Sequence, residues 1–182
     1  MLGGKVKKFL AILVLGLLWC SASFAVGNCN QTPTGNVDDT IYNCNSNDTF
    51  DNTGGTYVIK NTGDGVITTS GTNEVLIKNS GTIQTTVADT PAINGNNSTN
   101  LTITNNSTGL IKSVAKPINI NNGTDAEITN AGNITSQGAE GIKVNGAGLK
   151  VTNSGTITAV SLGIKIETNA TNAIILILEI FM

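Results

Sequence analysis

The sequence predicts an all-β fold, a right-handed parallel β-helix of about five coils, and three observations predict it. The first is a recurring phrase. It reads Val58-Ile59-Lys60-Asn61-Thr62-Gly63, Leu76-Ile77-Lys78-Asn79-Ser80-Gly81-Thr82-Ile83, Glu127-Ile128-Thr129-Asn130-Ala131-Gly132-Asn133-Ile134 and Lys150-Val151-Thr152-Asn153-Ser154-Gly155-Thr156-Ile157, with a looser copy at 101–105 and 109–111. Its asparagines, Asn61, Asn79, Asn105, Asn130 and Asn153, follow one another at intervals of 18, 26, 25 and 23 residues, the range of an array of supersecondary units. The second observation is alternation. Tyr57 and Ile59, Val75 and Ile77, Leu101 and Ile103, Ala126 and Ile128, and Leu149 and Val151 recur with period two, which means strand. A second strand per repeat carries Ile67, Ile83, Ile111, Ile134 or Ile157. A third carries Ile118-Asn119-Ile120, Ile142-Lys143-Val144 or Ile164-Lys165-Ile166. The third observation is punctuation. Gly, Asn and Ser clusters, which tolerate positive φ, separate the strands, and no helical period appears in the mature chain.

Taken in order, residues 1–25 read as a secretory signal peptide, expected to begin as a helix. Lys5, Lys7 and Lys8 precede the apolar run Phe9 to Trp19, and Ser23-Phe24-Ala25 predicts cleavage after Ala25, removing Cys20 with the signal. Residues 26–54 form an N-terminal cap in which Cys29 and Cys44 are expected to pair, because disulfides persist in an exported compartment. Closing that loop stabilises by about 3 kcal/mol on chain-entropy grounds.

Residues 55–170 carry the repeats. A unit this short cannot bury an apolar face alone, but coils stacked at roughly 4.8 Å align their inward Ile and Val. Each repeated Asn lies two residues beyond an inward apolar residue and shares its phase. A lone inward amide costs free energy, so Asn61, Asn79, Asn105, Asn130 and Asn153 are expected to stack as a mutually bonded ladder. Lys60 and Lys78 beside it read as an outward solubilising column, taken over by Thr104, Thr129 and Thr152. The competing fold is an antiparallel sandwich, for which Asn94-Gly95, Asn122-Gly123 and Asn145-Gly146 are hairpin signals. A leucine-rich repeat lacks its helical segment, and a calcium-filled β-roll lacks its Gly-Gly-x-Gly-x-Asp nonapeptide.

Residues 171–182 form an apolar tail in which Asn, Gly and Thr give way to Ile174-Ile175-Leu176-Ile177-Leu178. The tail is too short for a spanning helix. Two readings stand: a frameshift or truncation product, or an apolar cap packed on the last coil.

Charge and residue types narrow the chemistry. All ten basic residues are lysines, and histidine is absent. Loss of Lys5, Lys7 and Lys8 with the signal takes the formal net charge from −2 to −5, against nucleic-acid binding. Without His there is no ordinary triad base and no imidazole zinc ligand. Asp64, Glu74, Asp89, Asp125, Glu127, Glu140 and Glu167 do not recur at one repeat phase and read as solvated surface. No catalytic, cofactor-binding or metal-ligating residues are expected. The insertion between Asn105 and Gly109 and the excursion Asp89 to Asn100 are candidate loops, with irregular coil corners as the plainer reading.

The phrases Ile128 to Ile134 and Val151 to Ile157, each followed by a Gly-Ile-x-Ile-like segment at Gly141 to Val144 or Gly163 to Ile166, resemble the repeats of bacterial autotransporter (type V secretion) passenger domains. The resemblance covers roughly residues 55 to 168, and the segment Cys29 to Cys44 looks like the start of many such passengers. It implies a β-helical fragment of a Gram-negative surface protein with an adhesive or structural role. Implied partners are the secretion machinery and host or neighbouring-cell surface molecules, with membrane contact only through a translocator barrel and with self-association at an exposed edge. The chain departs from the family where it stops, since eight barrel strands have no room after residue 168, and a separate partner carrying the barrel is a further reading. Alone it is expected in the periplasm; the intact family protein belongs at the cell surface or outer membrane. The alternatives are a secreted polysaccharide-acting β-helix enzyme and a non-functional truncated remnant.

Overall fold

The computed structural model describes residues 25–30, 32–55, 57–61 and 65–178, so the expected signal helix lies outside the described residues. Ala25, the expected cleavage position, is the first residue of a strand. The described residues begin with β1 (Ala25–Asn28), β2 (Val37–Asp38) and β3 (Thr40–Asn43), followed by a repeated three-strand circuit. The circuits are β4 (Thr49–Asn52), β5 (Val58–Asn61) and β6 (Ile67–Thr68); β7 (Leu76–Asn79), β8 (Thr82–Thr85) and β9 (Ile93–Asn94); β10 (Thr102–Asn105), β11 (Leu110–Ser113) and β12 (Ile118–Thr124); β13 (Glu127–Asn130), β14 (Asn133–Ser136) and β15 (Ile142–Ala147); β16 (Lys150–Asn153), β17 (Thr156–Thr158) and β18 (Ile164–Ile166). A final strand, β19 (Ile174–Ile177), follows. No helix occurs among the described residues.

Strands one circuit apart pair in parallel, giving three sheets. Sheet I is β19-β16-β13-β10-β7-β4, sheet II is β17-β14-β11-β8-β5-β2 and sheet III is β1-β3-β6-β9-β12-β15-β18. The result is a parallel β-solenoid of about six turns. The expected five become about six because winding begins inside the segment read as a cap, where β4 already stands in sheet I. Antiparallel pairing is excluded for the Asn-Gly sites: Asn94 ends β9, while Asn122-Gly123 and Asn145-Gly146 lie inside β12 and β15, which pair with each other in parallel.

Register explains the core. Phe50, Ile77, Ile103, Ile128 and Val151 align in sheet I, Ile59, Ile83, Ile111, Ile134 and Ile157 in sheet II, and Ile67, Ile93, Ile118, Ile142 and Ile164 in sheet III. Most are sealed from solvent, and each buried aliphatic stabilises by about 1.5–3 kcal/mol. Below them Tyr42 and Phe50 meet edge to face with ring centroids 4.8 Å apart. Cys29 and Cys44 are bonded and buried in the same core.

The reading of the first circuit is corrected. Val58–Asn61 has the sheet I phrase but belongs to sheet II, where Ile59 aligns with Ile83 and Asn61 with Thr85. The sheet I place in that circuit is taken by Thr49-Phe50-Asp51-Asn52, which aligns residue for residue with Leu76-Ile77-Lys78-Asn79. Lys60 and Lys78 therefore do not share a column. Lys60 aligns with Asp38 and Gln84, whereas Lys78 aligns with Asp51 and Thr104. Ile67 likewise belongs to sheet III, not to the second strand. The apolar tail contributes β19, whose Ile175 and Ile177 align with Val151 and Asn153 but stay exposed.

The assigned phase predicts unequal neighbours in β10. Ile103→Ala should cost about 2–5 kcal/mol in urea unfolding, whereas Thr104→Ala, on the outward side, should stay within about 0.5 kcal/mol. Equal costs would refute the phase.

Candidate functional site: the amide ladder and the outer faces

The inward amides of sheet I form one chain of hydrogen bonds. Asn52 Nδ2 donates to Asn79 Oδ1 at 2.9 Å, Asn79 to Asn105 at 2.9 Å, Asn105 to Asn130 at 2.8 Å and Asn130 to Asn153 at 2.7 Å. Asn61 is not a member. It is buried in sheet II, and its Nδ2 donates to the Gly65 carbonyl at 2.6 Å. The first rung is Asn52, and the intervals become 27, 26, 25 and 23 residues. The odd interval of 18 was the available signal: it falls short of a whole turn.

Each ladder amide also donates to a carbonyl at the following corner. Asn79 reaches Gly81 O at 3.0 Å, Asn105 Gly109 O at 3.2 Å, Asn130 Gly132 O at 3.2 Å and Asn153 Gly155 O at 3.0 Å. The glycine of the repeated phrase follows from this geometry. A Cβ on Gly132 would lie 2.3 Å from the Asn106 and Gly109 carbonyl oxygens, and one on Gly155 would lie 2.1 Å from Gly132 O. The amide and the bare corner are one unit, repeated.

The outer faces carry the outward residue of each strand in aligned columns. Asp51, Lys78, Thr104, Thr129 and Thr152 align on sheet I; Lys60, Gln84, Lys112, Thr135 and Thr158 align on sheet II; Thr68, Asn94, Asn119, Lys143 and Lys165 align on sheet III. Outer amides also bridge coils, Asn119 Nδ2 to Asn96 Oδ1 and Asn145 Nδ2 to Asn121 Oδ1, both at 3.0 Å.

Of the acidic residues read as solvated surface, Glu74, Asp89 and Asp125 occupy positive-φ corners, and Asp64 lies outside the described residues. Glu127 pairs with Lys150 at 2.6 Å. Glu140 and Glu167 are gathered around two lysines of sheet III. Lys165 reaches Glu140 at 3.2 Å and Glu167 at 3.0 Å, and Lys143 reaches Glu167 at 3.2 Å. Sequence reasoning missed this cluster, although Lys143 and Lys165 share the middle position of Ile-Lys-Val and Ile-Lys-Ile. Among the described residues no group of three or more His, Cys, Asp or Glu could hold a metal ion.

The candidate loops are coil corners. Thr108 Oγ1 donates to Ser80 O at 2.7 Å and Asn106 Nδ2 to Ser80 Oγ at 2.8 Å, pinning the insertion onto the coil below. The excursion Asp89 to Asn100 contains β9 and the buried residues Ala92, Ile93 and Ser98.

No protein-family model matches the chain, and neither the curated proteins nor the solved structures include a match.

The ion cluster predicts a pH window. Burial alone would raise the Glu140 carboxyl, but its own backbone amide and Lys165 outweigh burial and hold it below the ordinary range. Lys165 and then Lys143 hold Glu167 down, while Glu167 and then Glu140 hold Lys165 up. The carboxylate contributions are complete above the unfolded value of about 4.3 and are lost as pH falls through the lower folded values; the Lys165 contribution is complete below about 10.4 and is lost as pH rises through its raised value. Glu140→Gln should therefore lower Tm at neutral pH, with the difference from wild type shrinking as the medium becomes acid. A pH-independent difference would contradict the assignment.

Proposed function

We propose that the chain is an exported, autotransporter-type passenger segment with an adhesive or structural role, displaying its outer columns and corners to other surfaces. The observation that carries this reading is the in-register stack. It turns outward Thr, Asn and Lys residues of successive coils into flat polar columns on a scaffold whose inward positions are committed to packing. Such repetition suits many weak contacts acting together more than one concave site. The basic, then apolar N-terminal sequence and the bonded Cys29–Cys44 pair support export to an oxidising compartment. The sequence resemblance to passenger repeats supports the class. Host or neighbouring-cell surface molecules are the proposed partners, the periplasm is the proposed location of the chain on its own, and the cell surface that of an intact passenger.

Expression of the full chain in a Gram-negative host, followed by fractionation and N-terminal sequencing, should give an exported product starting at Val26. The purified product should bind immobilised cell-surface glycans or whole cells and leave acidic polysaccharides intact. Calcium-dependent release of polysaccharide fragments would sink the adhesive reading in favour of an enzyme. Cytoplasmic retention with an intact N-terminus would sink export.

A further inference from the structure

The sequence contains Asn94-Gly95, Asn122-Gly123 and Asn145-Gly146, and the fold treats the three pairs differently. Asn94 is half-buried. Its Oδ1 accepts the Asn96 amide at 3.3 Å, and the Gly95 amide donates to Asn119 O at 2.8 Å. Asn145 is half-buried and its Nδ2 is committed to Asn121 Oδ1 at 3.0 Å. Asn122 is exposed, and its side chain makes no hydrogen bond to a described residue. It is also outside the strand ladder: Asn121 aligns with Asn145 and Gly123 with Gly146, so the register steps over Asn122, which sits at φ 55°. This is a bulge, one extra residue left unpaired.

We infer that Asn122 is a site of spontaneous covalent modification, deamidating to aspartyl and isoaspartyl forms in the folded protein. The Gly123 amide loses its proton and its nitrogen forms a bond to Asn122 Cγ; the Cγ–Nδ2 bond breaks, and ammonia leaves with the proton. The resulting succinimide then adds one water. Opening at Cγ gives an aspartyl residue with the backbone unchanged, and opening at the main-chain carbonyl gives an isoaspartyl linkage with one extra methylene in the backbone. No oxidant or reductant is required. Glycine at 123 leaves the attacking nitrogen without a flanking side chain, and packing demands glycine there, since a Cβ would lie 2.5 Å from Ile120 Cγ2. The bulge provides the tolerance for the product: Asn122 has no register partner, so an added methylene displaces no ladder pairing. Each conversion adds one negative charge to an outer corner of the solenoid.

The test is incubation of the purified, folded mature chain in mildly alkaline buffer, with peptide mapping by mass spectrometry and enzymatic methyl labelling of isoaspartate. Conversion at Asn122 should outpace that at Asn94 and Asn145 by about tenfold or more, the factor imposed when a reaction must first break a hydrogen bond of the fold. In urea the three sites should react at similar rates, which separates protection by the fold from local sequence. Asn122→Gln should abolish most of the gain in labelling while leaving the circular dichroism spectrum unchanged. Equal rates at the three sites in the folded chain, or faster reaction at Asn94 or Asn145, would overturn the inference.

Discussion

The interior of this solenoid is not wholly apolar, and one of its polar columns fixes the register. Sheet I carries a fully inward carboxamide in circuit after circuit, and an inward amide without partners costs about 1–3 kcal/mol. The cost is cancelled when the next coil supplies an acceptor at the same position and its own corner supplies another, which is what Asn79, Asn105 and Asn130 find. A slip by one residue would turn every inward side chain outward and break each rung at once. Apolar columns alone tolerate exchange among Ile, Val and Leu; a continuous ladder does not tolerate misalignment.

Much else follows from that constraint. The corner after each rung must bring its carbonyl to the amide, and the coil below leaves no space for a Cβ, so the phrase acquires its glycine. Inward positions are thereby fixed in type, while outward positions are constrained only by solubility and cross-coil pairing. The variation among Asp51, Lys78, Thr104, Thr129 and Thr152 in one outward column reflects this freedom. A scaffold divided in this way can change what it presents without changing how it folds, the physical basis for reading the outer columns as the working surface. At the last coil the ladder position passes to Ile177, and Ile174 to Leu178 are exposed together with Val160 and Leu162.

The all-β class, the parallel stack, the longer strands from Leu76 to Ile166 and four of the five ladder asparagines were legible in the sequence, because alternation and a repeated Asn-x-Gly leave a strong periodic trace. The first circuit was misread by one sheet, since Ile59-Lys60-Asn61 imitates Ile77-Lys78-Asn79 while Phe50-Asp51-Asn52 looks unlike it. Aromatic and aliphatic side chains fill the same inward space, so identity of wording was a poorer guide than interval. The short strands β6 and β9, two residues each, were too brief to show a period. In the Glu140–Lys165–Glu167–Lys143 cluster the two lysines share a strand position, but Glu140 precedes Lys143 by three residues and Glu167 follows Lys165 by two, so no single repeat position marks the carboxylates.

The central claim is that the amide ladder, not apolar burial alone, sets the register and much of the cooperativity. Asn105→Leu tests it most directly, because it keeps the branched shape and adds apolar surface while orphaning one Asn79 Nδ2 proton below, the other staying on Gly81 O, and Asn130 Oδ1 above. Measured by urea unfolding against Asn133→Leu, an exposed position in the next coil, the ladder substitution should cost roughly 2–6 kcal/mol, one to three for each orphaned group, and the exposed one within about 0.5 kcal/mol. A ladder substitution no costlier than the exposed one would show that apolar stacking suffices and would contradict the account.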